Sequence, residues 1–246
     1  MTTAAASKTA RTKVIMFEKI SENGLTRGKV SYREIDDLKK VEFNEADDIS
    51  FQMSNLTKKI VFVGSTNVGK ASLIETFCKG CFSEEKTNRI FETWTRSIDY
   101  HGKPLDLSLW YTEGSEDYNR LRPLSYPDAD VMVITFGIDS PSSLIDVEEI
   151  WAPEVWHWCP DVPVVLVGLK KDVRNNSEIL SRLARDNKMP VSIEQGEAMA
   201  RRIQAIYIEC SSRSLDSIDD VFMQIASASF LPRFDKKKRR RWCCVQ

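Results

Sequence analysis

Lys59-Ile60-Val61-Phe62-Val63-Gly64-Ser65-Thr66-Asn67-Val68-Gly69-Lys70-Ala71-Ser72-Leu73-Ile74-Glu75-Thr76-Phe77 runs from a β-rich apolar segment, through a turn with two glycines, into helical spacing of apolar residues. From Gly64 the turn follows the phosphate-binding pattern G-x-x-x-x-G-K-[ST] as far as its lysine. In that pattern the backbone N–H groups of the turn and helix start cradle α- and β-phosphates. The lysine, here Lys70, reaches the β- and γ-phosphates, and a hydroxyl ligates Mg²⁺. Ala71 stands where that hydroxyl belongs, and Ser72 points about 100° away around a helix. An ordinary strand–helix turn also uses glycines for its geometry, but strand, glycine turn and helix in this order give the motif its meaning. Gly64, Thr66, Asn67, Val68, Gly69, Lys70, Ala71 and Ser72 are the candidate phosphate-binding residues.

Beyond the turn, the pattern predicts alternating strands and helices. Ile90–Ile98 and Leu105–Trp110 flank the turn Asp99-Tyr100-His101-Gly102-Lys103-Pro104 and read as an antiparallel hairpin. Val131–Phe136 and Val164–Gly168 are continuous apolar runs, as strands covered on both faces require. Helical stretches are expected near 142–157, 177–187, 194–203 and 216–231. The alternation implies an α/β doubly wound sheet with ligand at the carboxyl ends of its strands.

Composition narrows the class. The 246 residues allow one sizeable domain with appendages, and no apolar run reaches the eighteen residues of a membrane-spanning helix. The start, Met1-Thr2-Thr3-Ala4-Ala5-Ala6, lacks the apolar core of a secretory signal. Six cysteines without small-domain spacing suggest reduced thiols. Cys78, Cys81, Cys159 and Cys210 read as packing residues, and Cys78-x-x-Cys81 lacks the second pair that a zinc site needs. The net charge of −1 conceals an asymmetry: residues 233–246 carry seven Lys/Arg against one Asp. An acidic body with a basic tail points to a membrane surface and away from nucleic acid. Residues 1–57 read as a largely flexible extension, with a turn or two of amphipathic helix conceivable at 32–40. Residues 58–232 form the domain and 233–246 the tail.

Trp110-Tyr111-Thr112-Glu113-Gly114-Ser115-Glu116-Asp117-Tyr118, Leu121-Arg122-Pro123-Leu124-Ser125-Tyr126-Pro127, Ile138-Asp139-Ser140-Pro141 and Glu209-Cys210-Ser211-Ser212 resemble the Rho family of Ras-like small GTPases. A charged helical segment near 176–189 resembles the insert helix of that family. The resemblance implies the P-loop NTPase fold of Ras-like proteins: a six-stranded, mostly parallel sheet with helices on both faces. It also implies a guanine site. Phe82 would stack at the base edge, Lys170 would lay its stem along the ring, and Asp172 would accept from guanine N1–H and the 2-amino group. Ser211 and Ser212 would present a backbone N–H to O6. Leu169 replaces an Asn of the family, forfeiting a purine contact and a loop hydrogen bond.

The same comparison implies a degenerate metal and hydrolysis site. Ala71 replaces a metal-binding Thr, and Arg89 stands at the switch Thr that ligates Mg²⁺. Tyr111 replaces the Asp of the metal's water shell, and Ser115 the Gln that orients attacking water. Glu113 brings a carboxylate toward the γ-phosphate region, and Thr66 stands at a glycine position of the family, where its side chain crowds the place of that Gln and of an incoming arginine finger. GTP or GDP is the expected ligand, with Mg²⁺ in question and no confident catalytic residue. Phosphoryl transfer depends on positioning and charge neutralisation, with an arginine finger alone worth about 10³–10⁵ in rate, so weak or absent GTP hydrolysis is expected.

Lys236-Lys237-Lys238-Arg239-Arg240-Arg241-Trp242-Cys243-Cys244-Val245-Gln246 is a polybasic run closing in a C-a-a-X-like box, with Cys243 as the prenylation candidate. These features imply a monomeric signalling protein at the cytoplasmic face of the plasma membrane, with a cytosolic pool. Segment 236–243 would face anionic lipid. Segments 86–94 and 111–126 would face effectors, in actin and cell-shape signalling by resemblance. Two alternatives stand beside this reading: a nucleotide-free scaffold, and a working GTPase switch with unusual metal ligation.

Overall fold

Along β3 (Leu56–Gly64) successive buried residues point to opposite sides, and each side meets its own apolar layer. A computed structural model describes residues 13–22, 25–34, 56–84 and 90–231. By contact they divide into two units, Met1–Gln52 and Met53–Gln246, each described by itself.

In the larger unit the sheet order is β4-β5-β3-β6-β7-β8. The further strands are β4 (Phe91–Tyr100), β5 (Lys103–Thr112), β6 (Val131–Gly137), β7 (Val164–Leu169) and β8 (Ile206–Glu209). Every pairing is parallel except β4 with β5, the hairpin that the sequence predicts. Ile60, Phe62, Val133 and Val167 face a layer containing α1 (Lys70–Lys79) and α6 (Ile218–Ala228), where the Phe77 and Phe222 rings stack. Val61, Val63, Met132 and Leu166 face α2 (Pro141–Asp146), α3 (Ala152–Trp158) and α5 (Ile193–Arg202). The sheet is therefore covered on both sides, as its continuous apolar runs require. The chain leaves β3 toward β5 on one side and β6 on the other. That puts the glycine turn at the switch point where open α/β sheets bind ligands.

Four details depart from the sequence expectations. The helix expected at 142–157 is interrupted by a π turn at Val147–Trp151, which separates α2 from α3 and aims Trp151 at the glycine turn. Strand β8 lies where the residue pattern itself predicted no strand, because four half-buried residues give too short a pattern to read. Cys81 is exposed, since the chain leaves α1 through left-handed Gly80 before reaching it; Cys159 and Cys210 are buried as expected, and none of Cys78, Cys81, Cys159 and Cys210 is in a disulfide. In the smaller unit, β1 (Lys13–Glu22) and β2 (Leu25–Glu34) pair antiparallel within a region read as largely flexible. The sequence between them is Asn23-Gly24, the strongest short hairpin signal, and residues 32–34 belong to a strand instead of a helix turn. The expected insert helix is α4 (Ser177–Arg185), whose start Asn176 caps by accepting from the Glu178 and Ile179 amides at 3.1 and 3.2 Å.

Candidate nucleotide site

β3 ends at Gly64 with φ 144°, and a Cβ there would lie 2.3 Å from the Thr135 carbonyl oxygen, so the position requires glycine. The turn passes through Asn67 at φ 63° and enters α1 from Gly69 at φ 114°. Gly69 offers no side-chain cap, so the first N–H groups of α1 are left for another acceptor, as anion binding at a helix start requires. Lys70 is 3% exposed, and its Nζ donates to the Gly64 and Ser65 carbonyls at 2.7 and 2.9 Å. An ammonium has three donors, so one remains to meet a phosphate. Burial pushes the Lys70 pKa down to about 8, the Glu113 charge opposes that shift, and the Arg122 charge adds to it. Ser65 is clamped from the other side: Trp151 Nε1 donates to its hydroxyl at 3.0 Å, and that hydroxyl donates to Asp146 at 2.6 Å.

The residues that the resemblance assigns to the base converge at the ends of β7 and β8. Lys170, left-handed at φ 63°, sends Nζ to the Asn67 carbonyl and to Asp139 Oδ2, each at 2.9 Å, so its stem bridges from β7 to the glycine turn. The other oxygen of Asp139 is buried with no hydrogen-bond partner among the described residues. Asp172 accepts from the buried Ser211 hydroxyl at 2.6 Å, and the Lys171 amide donates to the Cys210 carbonyl at 3.0 Å. These bonds tie the Asp172 loop to the Ser211–Ser212 loop. The segment after half-buried Phe82 reaches the same loop through a Glu84–Arg213 ion pair of 2.6 Å. Leu169 is buried, and a Cβ on Gly69 would lie 3.7 Å from its Cδ1. Apolar packing under the turn thus takes the place of the hydrogen bond that the sequence counted as lost.

The metal and hydrolysis positions are built differently. The Ala71 methyl packs against the core. Tyr111 is buried at 7% exposure, its ring centroid 5.8 Å from Lys70 Nζ, and its hydroxyl donates to Glu113 Oε2 at 2.5 Å. Neither is a magnesium ligand in this arrangement. Ser115 caps the short helix Glu116–Tyr118: its Oγ accepts from the Asp117 amide and donates to the Asp117 carboxylate, which occupies it locally. Arg89, Cys243 and the polybasic run lie outside the described residues.

Glu113 and Arg122 hold this segment in place. The Gly114 amide donates to Glu113 Oε1 at 2.7 Å. Burial of the Glu113 carboxyl is the largest influence on its pKa and raises it. The Tyr111 hydroxyl, the Lys70 charge, the Gly114 amide and the Thr66 hydroxyl together outweigh burial, so the pKa ends below the ordinary value. Arg122 is fully buried; Nε and one Nη donate to Glu154 at 2.9 and 2.8 Å, and the guanidinium also reaches the Glu113 carbonyl at 3.0 Å and Asn119 at 2.6 Å. Tyr126 donates its hydroxyl to the same Glu154. The sequence did not single out Glu154, because 32 residues separate it from Arg122 and no local pattern links them.

Compared with known protein families, residues 59–230, well over half of the chain, match the family model of the Ras family.

Proposed function

The chain belongs to the Ras family of small GTP-binding proteins, and on that premise we propose that it is a Rho-like member that binds guanine nucleotide without magnesium-dependent turnover and signals by binding effectors. The observation that carries this reading is the contrast inside one cleft. Lys70, Lys170, Asp172 and Ser211 are braced for phosphate and guanine, while the metal and water positions are a core methyl, a buried phenol and a capping serine. An effector surface is supported by Ile90, Phe91, Leu121 and Leu124, apolar residues exposed on the two segments flanking this site. The polybasic run and Cys243 support a prenyl anchor at the plasma membrane, since one lipid chain binds marginally without a second signal. Cell-shape signalling follows from the Rho resemblance. The test is single-turnover phosphate release from protein loaded with GTP. Wild type releases almost none, and Ser115→Gln alone restores nothing because Ala71 and Tyr111 remain. Release from wild type at the rate of an ordinary family member would overturn the reading.

A further inference from the structure

Most of the cleft waits for a ligand to bring negative charge, yet one anion is already there and belongs to the chain. Glu113 extends its carboxylate beside the glycine turn. One oxygen takes the Gly114 amide at 2.7 Å and the other takes the Tyr111 hydroxyl at 2.5 Å, while the Thr66 hydroxyl of the turn adds to the lowering of its pKa. Its position is not that of a loose surface side chain. A Cβ on Gly114 would lie 2.3 Å from the Gly64 carbonyl oxygen and 2.8 Å from the Thr66 nitrogen, so the backbone here is pressed onto the turn itself. From behind, the Glu113 carbonyl is held at 3.0 Å by Arg122, a fully buried guanidinium locked to Glu154.

We propose that Glu113 is an internal anion on the terminal-phosphate side of the Lys70 cradle, so that this site selects a guanosine diphosphate over the triphosphate. The inference rests on the guanine-nucleotide reading above and adds a choice between its two ligands. The lysine of a phosphate-binding turn serves the β- and γ-phosphates. A diphosphate ends at the β-phosphate and can use the α1 amides and the remaining Lys70 donor. A triphosphate must bring a further charged group toward the region where a carboxylate is held by two donors, with no metal ligand at Ala71 or Tyr111 to offset the repulsion. One consequence concerns the interpretation of bound ligand: GDP released from the purified protein reflects selection and carries no information about turnover.

Dissociation constants for GDP and GTP, measured by titration calorimetry in magnesium-free buffer on the full chain and on Glu113→Gln and Glu113→Ala, decide the matter. Glutamine keeps an acceptor oxygen for the Gly114 amide, and its amide nitrogen can donate to the Tyr111 hydroxyl oxygen in place of accepting from it. It removes the charge with the least change of shape, and thermal melts of both variants confirm that they fold. The expected result is GDP at least about tenfold tighter than GTP in wild type, with the difference shrinking in both variants through tighter GTP binding. Equal affinities in wild type, or variants that weaken both nucleotides alike, would overturn this inference and leave the guanine site standing. Failure of all three proteins to bind either nucleotide would overturn both.

Discussion

The base end and the metal end of the cleft are equally well built and do opposite things. At the proposed base end Lys170 donates to the Asn67 carbonyl and to Asp139, Asp172 accepts from Ser211, and the other Asp139 oxygen is buried without a hydrogen-bond partner among the described residues. At the degenerate metal end the polar groups of Tyr111, Ser115 and Arg122 are engaged by the chain among the described residues: Tyr111 by Glu113, Ser115 by Asp117, Arg122 by Glu154. Buried polar groups need partners whatever a protein does. The difference between the ends is therefore in who supplies the partner. One end leaves work for a ligand, and the other has closed its own accounts inside the fold.

That comparison breaks most visibly at Arg122. Removing one member of a buried ion pair leaves the other charge uncompensated, which costs about 3–5 kcal/mol. Arg122→Ala and Glu154→Ala should each lower unfolding free energy by this order in urea titrations, and the double variant should cost less than their sum. A loss below about 1 kcal/mol for either would mean that the pair does not brace the metal end.

Asp172→Ala probes the other end with a smaller effect. Hydrogen bonds to a charged group contribute about 1.5–3 kcal/mol, so GDP affinity should fall roughly 10- to 100-fold, while stability without nucleotide falls by about 1–3 kcal/mol because the buried Ser211 hydroxyl loses its acceptor. Unchanged GDP binding would remove Asp172 from the guanine site.

Spread over pH, and so smaller per unit, is the dependence on Lys70, which lies between the two ends. Its folded pKa is lowered to about 8 from 10.5. Below pH 8 the folded and unfolded chains both carry the proton. Between about 8 and 10.5 the unfolded chain binds a proton that the folded chain has released, so nucleotide-free stability rises with pH by at most about 1.4 kcal/mol per unit. Thermal or urea unfolding across that window should show the rise in wild type and a flatter profile in Lys70→Met. Nucleotide affinity should move the opposite way, because phosphate binding favours the charged amine.

The central strands, the hairpin and the glycine turn were legible because each rests on a local pattern of two or 3.6 residues or on a fixed motif spacing. The departures at Ala71, Arg89 and Tyr111 were legible only through the resemblance to the Rho family, which says what residue each position would otherwise hold. What escaped was tertiary. Glu113 was visible as a nearby charge, but its bonds to Tyr111 and Gly114 depend on how β5 delivers the segment to the turn. Leu169 looked like a missing polar contact until its packing beneath Gly69 was seen. The Ser65–Trp151 bond depends on a π turn that no periodicity announces.

The most direct test of the account is thermal unfolding of the full chain with excess GDP or ADP, each in magnesium and in EDTA. Ligand at a hundred times its dissociation constant stabilises a folded protein by about 2.7 kcal/mol, which is several degrees for a domain of this size. The account predicts that GDP raises the melting temperature by that order, that ADP does not, and that EDTA leaves the GDP shift intact. No shift with GDP, or a GDP shift that vanishes in EDTA, would contradict it.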